Sequence, residues 1–105
     1  MPELQAIARY NTEARRASRE GRLDQALLSL AMALRLAREI GRPLLEAYSK
    51  HHMGLVYAQA GRSDEAELCF RMALRMTDAD APASAREALR RKLRRSMGSP
   101  SALVH

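Results

Sequence analysis

The chain has 105 residues, 47% of them hydrophobic and 29% charged, with a net charge of +6. This length admits one domain with a modest core, and the composition excludes a disordered chain. A single cysteine, Cys69, excludes an internal disulfide, and the only aromatic residues, Tyr10, Tyr48, Tyr57 and Phe70, leave the core to Leu, Ala and Met.

Five helices are predicted in chain order. The first covers about 3–20, and Gly21 can take the left-handed conformation that ends it. The second covers about 22–40, with Asp24 placing negative charge in its first turn. Its residues Leu23, Ala26, Leu27, Leu30, Ala33, Leu34 and Ala37 follow helical spacing, and Leu28, Met32 and Leu36 add a second stripe. A helix this apolar is expected to pack on two fronts. Gly41-Arg42-Pro43 separates it from a third helix over 43–60, with glycine as a stop and proline as a start. Gly61 ends the third helix, and Ser63 is the expected N-cap of a fourth over 63–77, whose first turn carries Asp64 and Glu65. A fifth helix is expected over 81–97, after Asp78-Ala79-Asp80 and with Pro82 in its first turn. The tail 98–105 has turn residues and no periodicity, and is expected to fray.

The chain repeats itself. Residues 21–36, GRLDQALLSLAMALRL, and residues 61–76, GRSDEAELCFRMALRM, are identical at nine of sixteen positions at an offset of forty. That period belongs to the range of stacked helical hairpins. Small residues recur at equivalent places, Ala26 with Ala66 and Ala33 with Ala73, where helix backbones would approach closely.

The second unit resembles a tetratricopeptide repeat. Met53-Gly54 stands at the family's Leu-Gly pair, Tyr57 at its tyrosine, Ala66 and Phe70 at its second-helix alanine and phenylalanine, and Ala73 at a further small position. Lys50 replaces the family's aromatic residue and Asp78 its terminal proline. The first unit departs further: Tyr10, Ala14, Ala17, Ala26 and Leu30 occupy the aromatic, glycine, tyrosine, alanine and phenylalanine places, and Glu13 replaces the leucine. The forty-residue period exceeds the usual thirty-four and suggests longer helices, with the extra turns in 35–46. The resemblance implies an all-α domain over 1–97, with two antiparallel hairpins, about 3–40 and 43–77, stacked as a right-handed solenoid and closed by a capping helix at 81–97. Gly21, Ala26, Gly54, Tyr57, Gly61, Ala66, Phe70 and Ala73 would be its structural residues.

The resemblance also implies a protein-binding module, an adaptor or scaffold that holds a peptide or helix in a concave groove. Carried over by position, the groove shows Asn11, Arg15, Ser18 and Arg19 from the first unit. Tyr48, His51, Leu55, Ala58 and Gln59 come from the second. Two arginines and a tyrosine there suit an acidic or carboxylate-bearing partner; equally, Arg15 and Arg19 read as solvated helix charges. The set of Lys and Asn residues with which some family members grip a terminal carboxylate is missing, so that activity is not expected.

Charge adds a second candidate. Residues 1–81 carry a net +1, while 82–105 carry +5 from Arg86, Arg90, Arg91, Lys92, Arg94 and Arg95 against Glu87. Ala85, Leu89, Leu93 and Met97 form a narrow apolar stripe on the same helix. The basic residues read as a solvated cap, as a surface for an acidic protein, or as a nucleic-acid contact. No recognition-helix motif or base-stacking aromatic accompanies them.

His51 and His52 are adjacent and point about 100° apart on a helix, a poor chelating pair, and Cys69 reads as a small apolar residue. No phosphate loop, nucleophile elbow or paired carboxylates is found, so neither enzyme activity, nor a metal, nor a cofactor is expected. No N-terminal apolar run suggests a leader or membrane span, and cytoplasmic residence is expected. Two repeats are fewer than the three that usually bury a continuous core, so a homodimer is expected, formed through an apolar side of the first helix or of the cap.

Overall fold

The computed structural model describes residues 1–77 and 83–97, and within 83–97 the side chains of all but 83–86, 89 and 97. The described residues form five helices: α1 (Pro2–Arg19), α2 (Leu23–Glu39), α3 (Pro43–Gln59), α4 (Ser63–Met76) and α5 (Ala83–Met97). No strand is present among them. The expected tail at 98–105, Asp78 and Pro82 lie outside the described residues.

One turn is used three times. Gly21, Gly41 and Gly61 have φ of 76°, 65° and 78°. At each, the glycine N–H donates to the carbonyl three residues back, Ser18, Arg38 or Ala58. The following arginine N–H donates to the carbonyl five back, Ala17, Ala37 or Tyr57. This pair of bonds satisfies carbonyls that a helix end leaves open, and it requires the left-handed residue that glycine supplies. Arg22, Arg42 and Arg62 then cap the next helix through their own carbonyls, with no side-chain cap bond. Ser63 is therefore not the N-cap of α4. The Gly-Arg turn closes one residue earlier, and Ser63 becomes the first helical residue, as Leu23 and Pro43 are in theirs.

The helices pack in sequence. α1 lies on α2 and α3 on α4, with α2 on α3 joining the pairs, and α5 contacts both α3 and α4. α1 runs antiparallel to α2: its early residue Ile7 clusters with Ala33 and Ala37 late in α2, while its later Ala14 and Ala17 cluster with Ala26 and Leu30. Val56 of α3 completes the latter cluster and Leu45 borders the former, which ties the second pair of helices to the first. A third cluster, Ala47, Ala66, Phe70, Ala73 and Leu93, joins α3, α4 and α5.

The sequence repeat is also a burial repeat. From 21 to 37 and from 61 to 77 the pattern of buried, half-buried and exposed positions is the same except at 25/65 and 34/74. At Gly54 an added Cβ would lie 2.5 Å from Phe70 Cε1 and 2.7 Å from Cδ1. Phe70 itself is fully buried. Glycine at 54 is thus what lets α3 and α4 meet over the ring.

The exposed side of α1 is polar where an apolar one was expected, with Gln5, Arg9, Glu13 and Arg16 in solvent; the Ala85, Leu89 and Met97 side chains of the closing helix lie outside the described residues. The large hydrophobic residues left exposed among the described ones are Met1, Leu28 and Leu68. α2 packs on two fronts, as its sequence suggests, yet part of its second stripe remains in solvent.

Candidate partner-binding cleft

α1, α3 and α5 share one face of the molecule, and recesses run between them. One lies between α1 and α3, lined by Arg15, Ser18, Arg19, His52 and Leu55 over Ala14, Leu30 and Val56. A second continues along the same helices past Leu4, Asn11, Thr12 and Arg15 to Leu45 and Tyr48. The third, about 690 Å³, opens between α3 and α5, with Leu44, Leu45 and Tyr48 on one side and Ala88, Arg91, Lys92 and Arg95 on the other. Tyr48 belongs to two of these recesses and so stands at their junction.

The charge of this face has one sign. Arg15, Arg19, Arg91, Lys92 and Arg95 line the three recesses, and no described lining residue is a carboxylate. The described ion pairs all lie elsewhere, as in Arg38–Glu46 at 3.4 Å and Arg71–Glu67 at 2.6 Å. Two of the cations instead meet a neutral group, Tyr48. The Arg15 Nη1 donates to Tyr48 Oη at 3.1 Å, and Lys92 Nζ sits 5.7 Å from the centre of the Tyr48 ring. One aromatic residue of α3 is thereby clasped by a cation from α1 and a cation from α5.

A polar bridge holds α1 to α3 at the far end. Ser18 Oγ donates to Gln59 Oε1 at 2.7 Å, and Gln59 Nε2 donates to the Ser18 carbonyl at 2.9 Å. Both groups are thus committed to joining the helices.

Position by position, the sequence expectation divides. Arg15, Ser18, Arg19, Tyr48 and Leu55 line the recesses. Asn11 lines one of them but is largely buried, with its Oδ1 unpartnered among the described residues. Ala58 is half-buried against the Phe70 cluster, and Gln59 is spent on the bridge to Ser18. His51 is not a surface residue of the cleft. It is 2% exposed, its Nε2 lies 2.8 Å from Ser96 Oγ of α5, and its ring is 5.9 Å from that of Phe70. The repeat explains the burial: Ile7, Asn11 and Ala14 fall on one buried stripe of α1, and Ala47, His51 and Gly54 fall on the same stripe of α3.

His52, rather than His51, reaches the cleft. Its ring stacks at 4.3 Å from Tyr48 in a tilted pair and 5.1 Å from His51. Burial holds the His51 imidazole at about 4, below its ordinary 6.5, with Lys92 adding to the effect. His52 is also held at about 4, by burial first and then by His51, Lys92 and Arg15. Both rings are therefore neutral at pH 7. Burial pushes the Cys69 thiol up, which leaves it in the unreactive protonated form.

The described basic residues of α5 face different surroundings. Arg91, Lys92 and Arg95 are one wall of the cleft, Arg94 is exposed away from the lining set, and Arg90 is half-buried. The Arg86 side chain lies outside the described residues. Leu44 and Leu45 were not singled out in the sequence, and His52 was weighed there only as a poor chelating partner of His51. Among the described residues no three His, Cys, Asp or Glu side chains gather as a metal site, and no helix is long and apolar enough to cross a membrane. Set against known protein families, characterised proteins and solved structures, the chain matches none of them.

Proposed function

We propose that this chain is a protein-interaction module of the tetratricopeptide kind, two hairpins and a closing helix, whose α1–α3–α5 face receives an acidic segment of a partner protein. One observation carries the reading: five cations and no described carboxylate line recesses whose floor is Leu, Val and Tyr. Such a surface rewards a ligand that brings both carboxylates and apolar side chains. The charges steer and align it, and the buried apolar area supplies affinity. Tyr48 is the natural anchor, because it is central, aromatic and already held by Arg15 and Lys92. The forty-residue repeat, the Gly54–Phe70 contact and the shared burial pattern support the tetratricopeptide reading. A right-handed stacking of the two hairpins is part of that reading.

The test is capture of partners from the native cell by the intact chain and by a variant carrying Arg15→Glu, Arg91→Glu and Arg95→Glu. The expected result is loss of the captured protein with the helical circular dichroism unchanged. Capture that survives the reversal removes the cleft from the account.

A second reading rests on Arg91, Lys92, Arg94 and Arg95, all exposed on α5. These four could neutralise phosphates of a nucleic acid, with affinity falling steeply as salt rises. Absence of retention on nucleic acid at low salt ends that reading.

A further inference from the structure

Two of the exposed large hydrophobic residues occupy the same place in the repeat. Leu28 of α2 is 58% exposed and Leu68 of α4 is 56% exposed, at the forty-residue offset. Each sits in the same sequence of surface residues. On α2 these are Asp24, Leu28, Met32 and Arg35; on α4 they are Asp64, Leu68, Met72 and Arg75. The spacings of four, four and three keep each set within one face of its helix. The methionines are half-buried and the charged residues are exposed. An acid stands at the N-terminal end of each stripe, apolar residues in the middle and an arginine at the C-terminal end.

This order is complementary to itself when reversed. Two such stripes laid antiparallel place Leu against Met at the centre, aspartate against arginine at one end, and arginine against aspartate at the other. A two-fold axis generates that arrangement between identical chains. Asp24, Asp64 and Arg75 make no described ion pair, so they remain available. Arg35 is engaged only with Glu39 at 3.4 Å, between side chains 73% and 56% exposed, a contact of little strength. The cleft face offers no such match, because a two-fold contact there would set cations against cations.

We infer that the chain associates with a second copy of itself through the Leu28 and Leu68 stripes of α2 and α4, and that this contact leaves the α1–α3–α5 cleft open. The contact moves the expected dimer interface from α1 or the closing helix to the opposite helices. Two exposed leucines and two half-buried methionines on each chain make a small apolar centre, which suits a weak interface. It does not depend on the cleft having a partner.

Sedimentation velocity of the full chain over micromolar to millimolar concentration provides the test, against the one-chain mass of 11.7 kDa. The wild type is expected to move toward twice that mass. The variant Leu28→Glu with Leu68→Glu is expected to shift the midpoint to at least tenfold higher concentration while keeping its helical signal. A charge exchange adds a second arm. Asp24→Arg with Asp64→Arg weakens self-association, and mixing that variant with Arg35→Asp and Arg75→Asp restores it as a heterodimer. Three results overturn the inference: a wild type that stays monomeric throughout, association unaffected by the leucine changes, or association lost instead when Tyr48 and Arg91 of the cleft are replaced. Failure of the cleft's partner capture would leave all three sedimentation results unchanged, so the two readings fail separately.

Discussion

At position 54 the absence of a methyl group decides how closely α3 approaches α4. Alanine there would gain up to about 1 kcal/mol in helix propensity over glycine. The same methyl would meet the Phe70 ring at 2.5 Å, and Phe70 is fully buried. Overpacking of this kind costs about 1–3 kcal/mol, so the clash wins. Gly54→Ala is expected to lower the urea midpoint; an unchanged or raised midpoint would show that the ring yields. The neighbouring histidines carry a pH dependence. Both are held at about 4 in the folded chain, against 6.5 when unfolded. Between those values the unfolded chain binds more protons, so stability is present near pH 7 and declines as pH falls from 6.5 toward 4. The slope is at most about 1.4 kcal/mol per pH unit for each ring. Urea unfolding at pH 7, 5.5 and 4.5 is expected to show this decline, and the variant His51→Gln with His52→Gln to flatten it. A wild type with the same stability at all three values would contradict the burial of both rings. Carry-over by position from the resemblance misled at two of these places. It put Asn11 and His51 on the groove surface, but their register with Ile7, Ala14, Ala47 and Gly54 puts them on the buried stripe.

The helices themselves were legible because their punctuation is local. Each Gly-Arg pair marks a turn, and the ends fall within one or two residues of the expected ones at α1 to α4. Ser63 misled for the same local reason: a good capping residue is idle when the preceding arginine already caps the helix with its carbonyl. The docking side of α5 was legible in part, because Leu93 of its apolar stripe is the residue that is buried. Basic residues flank that stripe on both sides, so the stripe does not say which of them turn toward α3. That choice is made by tertiary contacts, chiefly Leu93, which is fully buried in the Phe70 cluster, and Ser96, which meets His51. Truncating a buried leucine costs about 2–5 kcal/mol, and α5 has little else described to hold it. Leu93→Ala is therefore expected to release α5 first. Hydrogen exchange should show lost protection in 83–97 with α1 to α4 still protected. Equal loss across all five helices would mean that α5 belongs to one cooperative unit with the rest.

At the scale of the molecule, the described residues span 38 × 28 × 17 Å, and the shortest dimension matches two helix layers. That geometry gives the surface two chemically different sides. One face carries the cations of α1 and α5 around Tyr48, and α2 and α4 carry the self-complementary stripes. The net charge of +6 was visible in the sequence as an excess in one segment, but only folding puts Arg91, Lys92 and Arg95 in a recess that adjoins that of Arg15 at Tyr48. The central claim is that this cleft takes an acidic protein segment. A photo-reactive amino acid placed at position 48, and in a control chain at position 67 of α4, tests it most directly in the native cell. The account predicts a heterologous protein joined at 48 through a stretch rich in Asp and Glu, with no such adduct at 67. A partner joined at 48 through a basic stretch, a nucleic-acid adduct there, or no adduct at 48 at all would contradict it.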